Sequence, residues 1–286
     1  MKKNRKIAHG IILVVAVVGA ALIISRLRQS AGPTYNGRNL RSWLTEFAGG
    51  YESADPEAVT AIRTIGTNGL PVLLAELKYE EPSWRRNVRR VFDNLRIAKL
   101  PLEPPWNRNL RAAYAFHVLW ADGRSAIPEL ADLISRGRSA LPAAIALAGI
   151  GEGALPELAT ALVHTNARVR MSVASGLGHW RGSGIEVVPI LLKALPDADA
   201  MVRSSVALTL GHLRLNPEKA VPALISTLTD AQPRVRNSAA FALGMFGGDA
   251  ESSLSALRKL KADTDPEVIS TADWAINQIQ EGLKKR

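Results

Sequence analysis

Residues 169–178 read VRMSVASGLG, residues 202–211 read VRSSVALTLG and residues 235–244 read VRNSAAFALG. Each stretch starts 33 residues after the one before, and Val268 falls at the same step again. The same interval relates Pro156, Pro189 and Pro222, as it does Leu177, Leu210, Leu243 and Ile276. Agreement at so many positions marks an internal repeat, and a period of this size means stacked supersecondary units.

Each unit reads as two helices. The first opens near a proline, whose missing N–H is not needed in a helix's first turn. Leu192 and Leu195, or Ile225 and Leu228, then follow at helical spacing. A polar turn such as Asp197-Ala198-Asp199 leads into the second helix, where Val202, Val206 and Leu210 share a face. Gly178, Gly211 and Gly244 come where that helix can end or let a neighbour approach closely. A lone helix pair of this size cannot bury its apolar faces, and stacked pairs can.

Earlier units are looser. Pro71, Leu74 and Leu77 begin one, with Arg85, Val88 and Phe92 at the offsets of a second helix. Leu110, Tyr114 and Val118 suggest another second helix, and Pro128 to Pro156 encloses a shorter unit. Residues 97–105 are proline-rich and read as an irregular insertion. The last unit carries Ser255 in place of proline and Asp273 in place of alanine, as suits an exposed terminal cap.

The proline–leucine first helix, the aspartate turn, the Val-Arg start and the Ala-Leu-Gly finish resemble the HEAT-repeat family, including its short bacterial, bilin-lyase-like form. The resemblance covers roughly residues 55–283. It implies a right-handed, all-α solenoid of about six helix pairs whose second helices line a concave face. It also implies an inter-repeat ladder built from the turn aspartates and the arginines six residues on, a pattern matched here by Asp197/Arg203 and Asp230/Arg236. His164 precedes Arg170 and Ile269 follows Asp263, so the ladder is expected to fade at both ends. The segment Tyr35–Leu44 is similar to a short capping helix behind the anchor of membrane-tethered bacterial HEAT proteins.

An uncleaved anchor is the expectation at the N-terminus, with a signal peptide cleaved near Val18-Gly19-Ala20 as the competing reading. Residues 7–25 hold 19 positions without a formal charge, between four cations before and Arg26 and Arg28 after. At about 1.5 Å per residue that length matches a bilayer's hydrocarbon core. The expected organisation is an anchor over 1–28, a linker and capping helix over 29–54, the solenoid over 55–283, and a basic tail over 284–286. The excess of cations before the span favours a cytoplasmic N-terminus and a solenoid outside the inner membrane.

The formal charge of +10 divides accordingly. Residues 1–28 hold six cations and no acid, and the last three residues are all basic. Residues 29–283 hold 27 cations against 26 acids, so the body is balanced. A high pI here reflects topology, which weakens a nucleic-acid reading that needs a basic stripe on the fold.

Catalytic motifs are sparse. Cysteine is absent, which removes disulfides, thiolate metal sites and a thiol nucleophile. No His-Glu dipeptide occurs, so the iron chemistry of HEAT-fold hydroxylases has no ligands, and no glycine pattern forms a P-loop. Serine pairs such as Ser204-Ser205 lack an adjacent base. His179 and His212 are 33 apart and stack at equivalent positions, but the next equivalents are Met245 and Gln278. Two imidazoles fall short of a zinc site, and no cofactor or metal is expected. Arg85, Arg86, Arg89 and Arg90 form like-charge i,i+4 pairs on a helix, which cost stability and invite an anionic partner.

The sequence therefore points to a non-catalytic, membrane-tethered scaffold that binds a protein partner through its concave face. Candidate contacts there are Arg168, Ser172, Ser175, Arg181, Ser205, Thr209, Asn237 and Ser238. A bilin-lyase-like or other HEAT-fold enzyme is the alternative, with polyanion binding third.

Overall fold

The computed structural model describes residues 32–94, 105–137 and 139–285. The anchor at 1–28 and most of the insertion at 97–105 lie outside the described residues. The chain enters through a small antiparallel hairpin, β1 (Thr34–Tyr35) and β2 (Arg38–Asn39). Its turn residues Asn36 and Gly37 both have positive φ, 48° and 73°, as a tight Asn-Gly turn requires. Helix α1 (Leu40–Trp43) follows, capped by the Asn39 side chain, and runs into a 3₁₀ turn over Leu44–Phe47.

From there the fold is helical. Helix α2 (Pro56–Ile65) packs on α1, and α3 (Leu70–Leu77), α4 (Ser83–Asn94) and α5 (Pro105–Leu119) follow. The regular pairs are α6 (Ile127–Ser135) with α7 (Ala140–Ile150), α8 (Leu155–Ala161) with α9 (Ala167–Leu177), and α10 (Gly184–Ala194) with α11 (Ala200–Leu213). Helix α12 (Pro217–Thr227) with α13 (Pro233–Phe246), and α14 (Leu254–Lys259) with α15 (Pro266–Lys284), complete the stack.

The second helices α5, α7, α9, α11, α13 and α15 form one continuous packed row. Among the described residues the helices form an α-solenoid of six pairs. Beside α3 in this row stands α5, so α4, read from sequence as that unit's second helix, is an extra helix between them. The sequence offsets were right, but a second arginine-rich amphipathic helix satisfies them equally well.

The prolines also sit differently from expectation in the regular repeats. Pro71, Pro128 and Pro156 stand in the first turn of their helices, each preceded by a 3₁₀ turn. Pro189 and Pro222 lie inside theirs, because the preceding turn has become α-helical and starts at Gly184 or Pro217. Neither Gly211 nor Gly244 ends a helix. A Cβ on Gly211 would meet the Ala242 Cα at 2.5 Å, so its bareness lets α11 and α13 touch backbone to backbone.

Residues 56–77 form the one described stretch long and apolar enough to cross a membrane. That stretch is two helices, α2 and α3, separated by a 3₁₀ turn at Gly66–Gly69, and its Ala61, Ile62, Leu73 and Leu77 are buried in the core.

Candidate functional site

The turns between paired helices carry the ladder. Arg170 grips Asp197 with two hydrogen bonds of 2.7 Å, Arg203 grips Asp230 at 2.7 and 2.9 Å, and Arg236 grips Asp263 at 2.7 and 2.7 Å. Each guanidinium also donates to the carbonyl six residues before it, as Arg203 does to Asp197 at 2.8 Å. The expected Asp197/Arg203 contact therefore runs through the aspartate's backbone, and the carboxylate is held from the preceding repeat. His164 offers only its carbonyl and Ile269 no guanidinium, so the described rungs run from Arg170 to Asp263. Hydrogen bonding to arginine holds the carboxyls of Asp197, Asp230 and Asp263 below the usual aspartate range.

A second charged cluster ties the N-terminal cap to the stack. Glu76 is 5% exposed and accepts from Arg41 at 2.7 Å and from Arg108 at 2.8 Å. Asn109, also buried, donates to the carbonyls of Glu76 and Leu77.

On the second-helix face lies a cavity of about 540 Å³ lined by α5, α9, α11, the loop 49–52 and the loop after α9. Helix α7 is buried on almost every side, with Ala143 to Ile150 all inside the core. No α7 residue lines the cavity, and side chains from the neighbouring helices close over it. His117 of α5 reaches the backbone of the loop after α9, donating from Nε2 to the His179 carbonyl at 3.1 Å. A carbonyl only accepts, so the proton is on Nε2. The unprotonated Nδ1 has no hydrogen-bond partner among the described residues and packs on Gly149, where a Cβ would come within 2.5 Å of it.

Aromatic rings stack around this bond. Tyr51 lies over His117 with centroids 5.9 Å apart, Tyr114 meets His179 at 5.5 Å, and the Arg181 guanidinium covers the Tyr51 ring at 4.2 Å. Burial pushes His117 down to about 4 and raises Tyr114. His179 is also lowered, first by burial and then by repulsion from His212, against the opposing pull of Glu52. Hydroxyls in the cavity are engaged with one another or with backbone: Ser175 with Ser205 at 2.7 Å, and Thr209 with the Ala174 carbonyl at 2.8 Å. Among the described residues no group of three His, Asp or Glu converges as metal ligands would.

Of the contacts expected from sequence, Ser175, Arg181, Ser205 and Thr209 line this cavity, together with His179 and His212. Arg168 and Ser172 lie on the same α9 stripe outside it. Ser238 is buried and hydrogen-bonds Ser204 at 2.7 Å, so it is packing between helices rather than surface. Asn237 donates to Thr271 at 3.0 Å across the next interface.

The arginine cluster stays apart, on α4. Arg85 donates to the Tyr79 hydroxyl at 3.0 Å and Arg90 to Asn87 at 3.2 Å, while Arg86 is exposed. The Arg89 side chain lies outside the described residues.

Sequence reasoning missed Tyr51, Glu52, Tyr114 and His117. One signal existed: Pro128 to Pro156 spans 28 residues, and His117 lies 62 before His179, within one residue of a short plus a regular repeat.

Residues 188–277 match the family model for HEAT repeats. That stretch carries HEAT repeats. No curated protein matches its sequence. Among solved structures it is similar to a designed armadillo repeat protein in complex with the peptide (KR)4, at 17% identity and TM-score 0.45, over 73% of this chain and 99% of that one. It is also similar to Kap121p, at 18% identity and TM-score 0.49, over 86% of this chain and 34% of that one. Human deoxyhypusine hydroxylase is similar at 18% identity and TM-score 0.39, over 94% and 99% of the two chains.

Proposed function

We propose that the chain is a membrane-tethered, non-catalytic HEAT-repeat scaffold that docks a protein partner on its second-helix face. The tether rests on the apolar sequence 7–25, with the solenoid on the exoplasmic side. The docking reading rests on the cavity, where three second helices and the loop 49–52 bring rings and polar groups together at the surface. Stacked repeats of this kind create extended recognition surfaces. The hydroxyls pair with each other or with carbonyls and the buried imidazole is committed to backbone, which is the chemistry of a rigid binding wall rather than of an activated nucleophile.

Site-specific photocrosslinking in native membranes tests the reading. A benzoylphenylalanine at Leu208, in the cavity, is expected to trap a protein partner, and one at Lys193, on the opposite first-helix face, is not. Adducts from Lys193 alone would place the partner on the wrong face and overturn the proposal.

A further inference from the structure

The walls of the cavity are unequal in what they leave unsatisfied. His117 and Thr209, at the floor, are 6% and 2% exposed and are already bonded to backbone carbonyls. His179, His212 and Arg181 are exposed at the rim. Among the described residues no hydrogen bond engages the two rim imidazole rings or the Arg181 guanidinium. Free donor capacity is therefore concentrated at one edge.

Charge selects what fits that edge. Arg181 is the one formal cation of the lining and Glu52 the one carboxylate. Tyr51 already carries Arg181 on its face, so a cationic guest would find that ring taken and meet a guanidinium instead. Groups facing His179 are Tyr114 and His117 from α5, His212 from α11, Tyr51 and Glu52 from the loop 49–52, and Arg181 from its own loop. His212 opposes the protonation of His179, and a monoanion between them removes that opposition. A doubly charged phosphate would have a single guanidinium to meet it.

Reach selects a peptide. Arg168, Ser172 and Ser175 are spaced as one stripe along α9, His179 follows in the turn after it, and Arg168 is exposed in the helix's first turn. Nine helical steps at 1.5 Å rise put Arg168 about 14 Å from the end of α9, and the turn to His179 brings the span to about 16 Å. About five residues of extended chain at 3.3 Å each cover the same distance.

We propose that the cavity receives an acidic, extended segment of the partner, one carboxylate seated among His179, His212 and Arg181 and a second, five residues away, at Arg168. The proposal rests on the scaffold reading. An anion beside the exposed His179 ring favours its protonated form, so affinity rises as pH falls.

The probe is a fluorescein-labelled peptide, Glu-Gly-Ser-Gly-Ser-Glu, with a second peptide whose two glutamates are adjacent. Anisotropy is read on the full chain in detergent micelles, with Arg85, Arg86, Arg89 and Arg90 replaced by glutamine so that α4 cannot capture the probe. Glutamate stays ionised from pH 5.5 to 7.5. One proton taken up changes affinity by at most tenfold per pH unit. The spaced peptide is expected to bind about tenfold more tightly at pH 5.5 than at 7.5. His179→Gln with His212→Gln removes that dependence, Arg181→Gln weakens binding at both pH values, and Arg168→Gln weakens only the spaced peptide. Equal affinity at both pH values, an unchanged pH dependence in the double variant, or displacement by inorganic phosphate more readily than by acetate each overturns the proposal. Crosslinks from Leu208 that persist alongside such a result leave the scaffold in place and remove only the acidic segment.

Discussion

Replacing Arg203 by methionine keeps the aliphatic stem and removes the guanidinium from the middle of the ladder. The pair it breaks is bidentate and largely sheltered, with side chains 17% and 13% exposed. Exposed ion pairs contribute about 0–1 kcal/mol, and breaking a fully buried one costs about 3–5 kcal/mol. Asp230 keeps one hydrogen bond, from the Gln232 amide, and has some access to water, which moves the cost off the upper limit. The Asp197 and Ala198 carbonyls also lose a donor. The expected destabilisation is about 2–3 kcal/mol at pH 7, a fall in Tm of about 5–10 °C. Because repeats couple through nearest neighbours, the loss should concentrate between α10–α11 and α12–α13. Hydrogen exchange should accelerate over 217–246 and stay unchanged over 56–77.

The pH dependence gives the sharper test. The ladder carboxyls are depressed in the folded chain, so their stabilisation is complete above the ordinary aspartate range and is lost as pH falls through the depressed values. The difference between Arg203→Met and the parent should therefore be full at pH 7 and shrink below about pH 4. Urea melts by far-ultraviolet dichroism at pH 7 and pH 3 measure it. A cost under about 0.5 kcal/mol at pH 7, or one equally large at pH 3, would refute the argument that the bidentate pairs hold neighbouring repeats together.

Glu76→Ala should cost about 3 kcal/mol and release the cap, because Arg41 and Arg108 lose the carboxylate that joins α1 to α3 and α5; faster exchange over 40–47 is the readout. Gly149→Ala should push the His117 ring off the Nδ1 contact at 2.5 Å and break its bond to His179, so in an imidazole titration by NMR the His117 midpoint moves from about 4 towards 6.5. In the parent chain His117 is neutral where an unfolded histidine would take a proton. Its contribution is thus full above pH 6.5 and declines from there to about pH 4, a window that His117→Phe should remove from the stability profile.

Regularity decided what the sequence could reveal. Wherever the 33-residue register holds, the helix pairs, the turn aspartates and the arginines were legible, because each position meets the same neighbours in every unit. The inter-repeat ladder was legible too, and the structure adds how it is wired: Arg203 donates to the Asp197 carbonyl six residues back and grips the Asp230 carboxylate of the next repeat. Spacing along a chain reports local geometry, whereas the ladder is a contact between units. The Asn36-Gly37 hairpin carried its own turn signal yet is too short to show strand alternation.

The cavity was half legible for the same reason. Ser175, His179, Ser205, Thr209 and His212 belong to the register, and periodicity found them. Tyr51 and Glu52 come from a loop, and Tyr114 and His117 from a helix on the far side of the short repeat, where the period fails. Helix α7 is made of small and apolar residues buried on almost every side and contributes nothing to the cavity lining. His117 then bridges α5 to the loop after α9, and Gly149 is the residue that makes room for it. In a structure stabilised by repetition, a polar site with a buried, unprotonated ring nitrogen is costly unless something specific is bound beside it. The break in the period, more than the repeats themselves, is where recognition by this solenoid is to be sought.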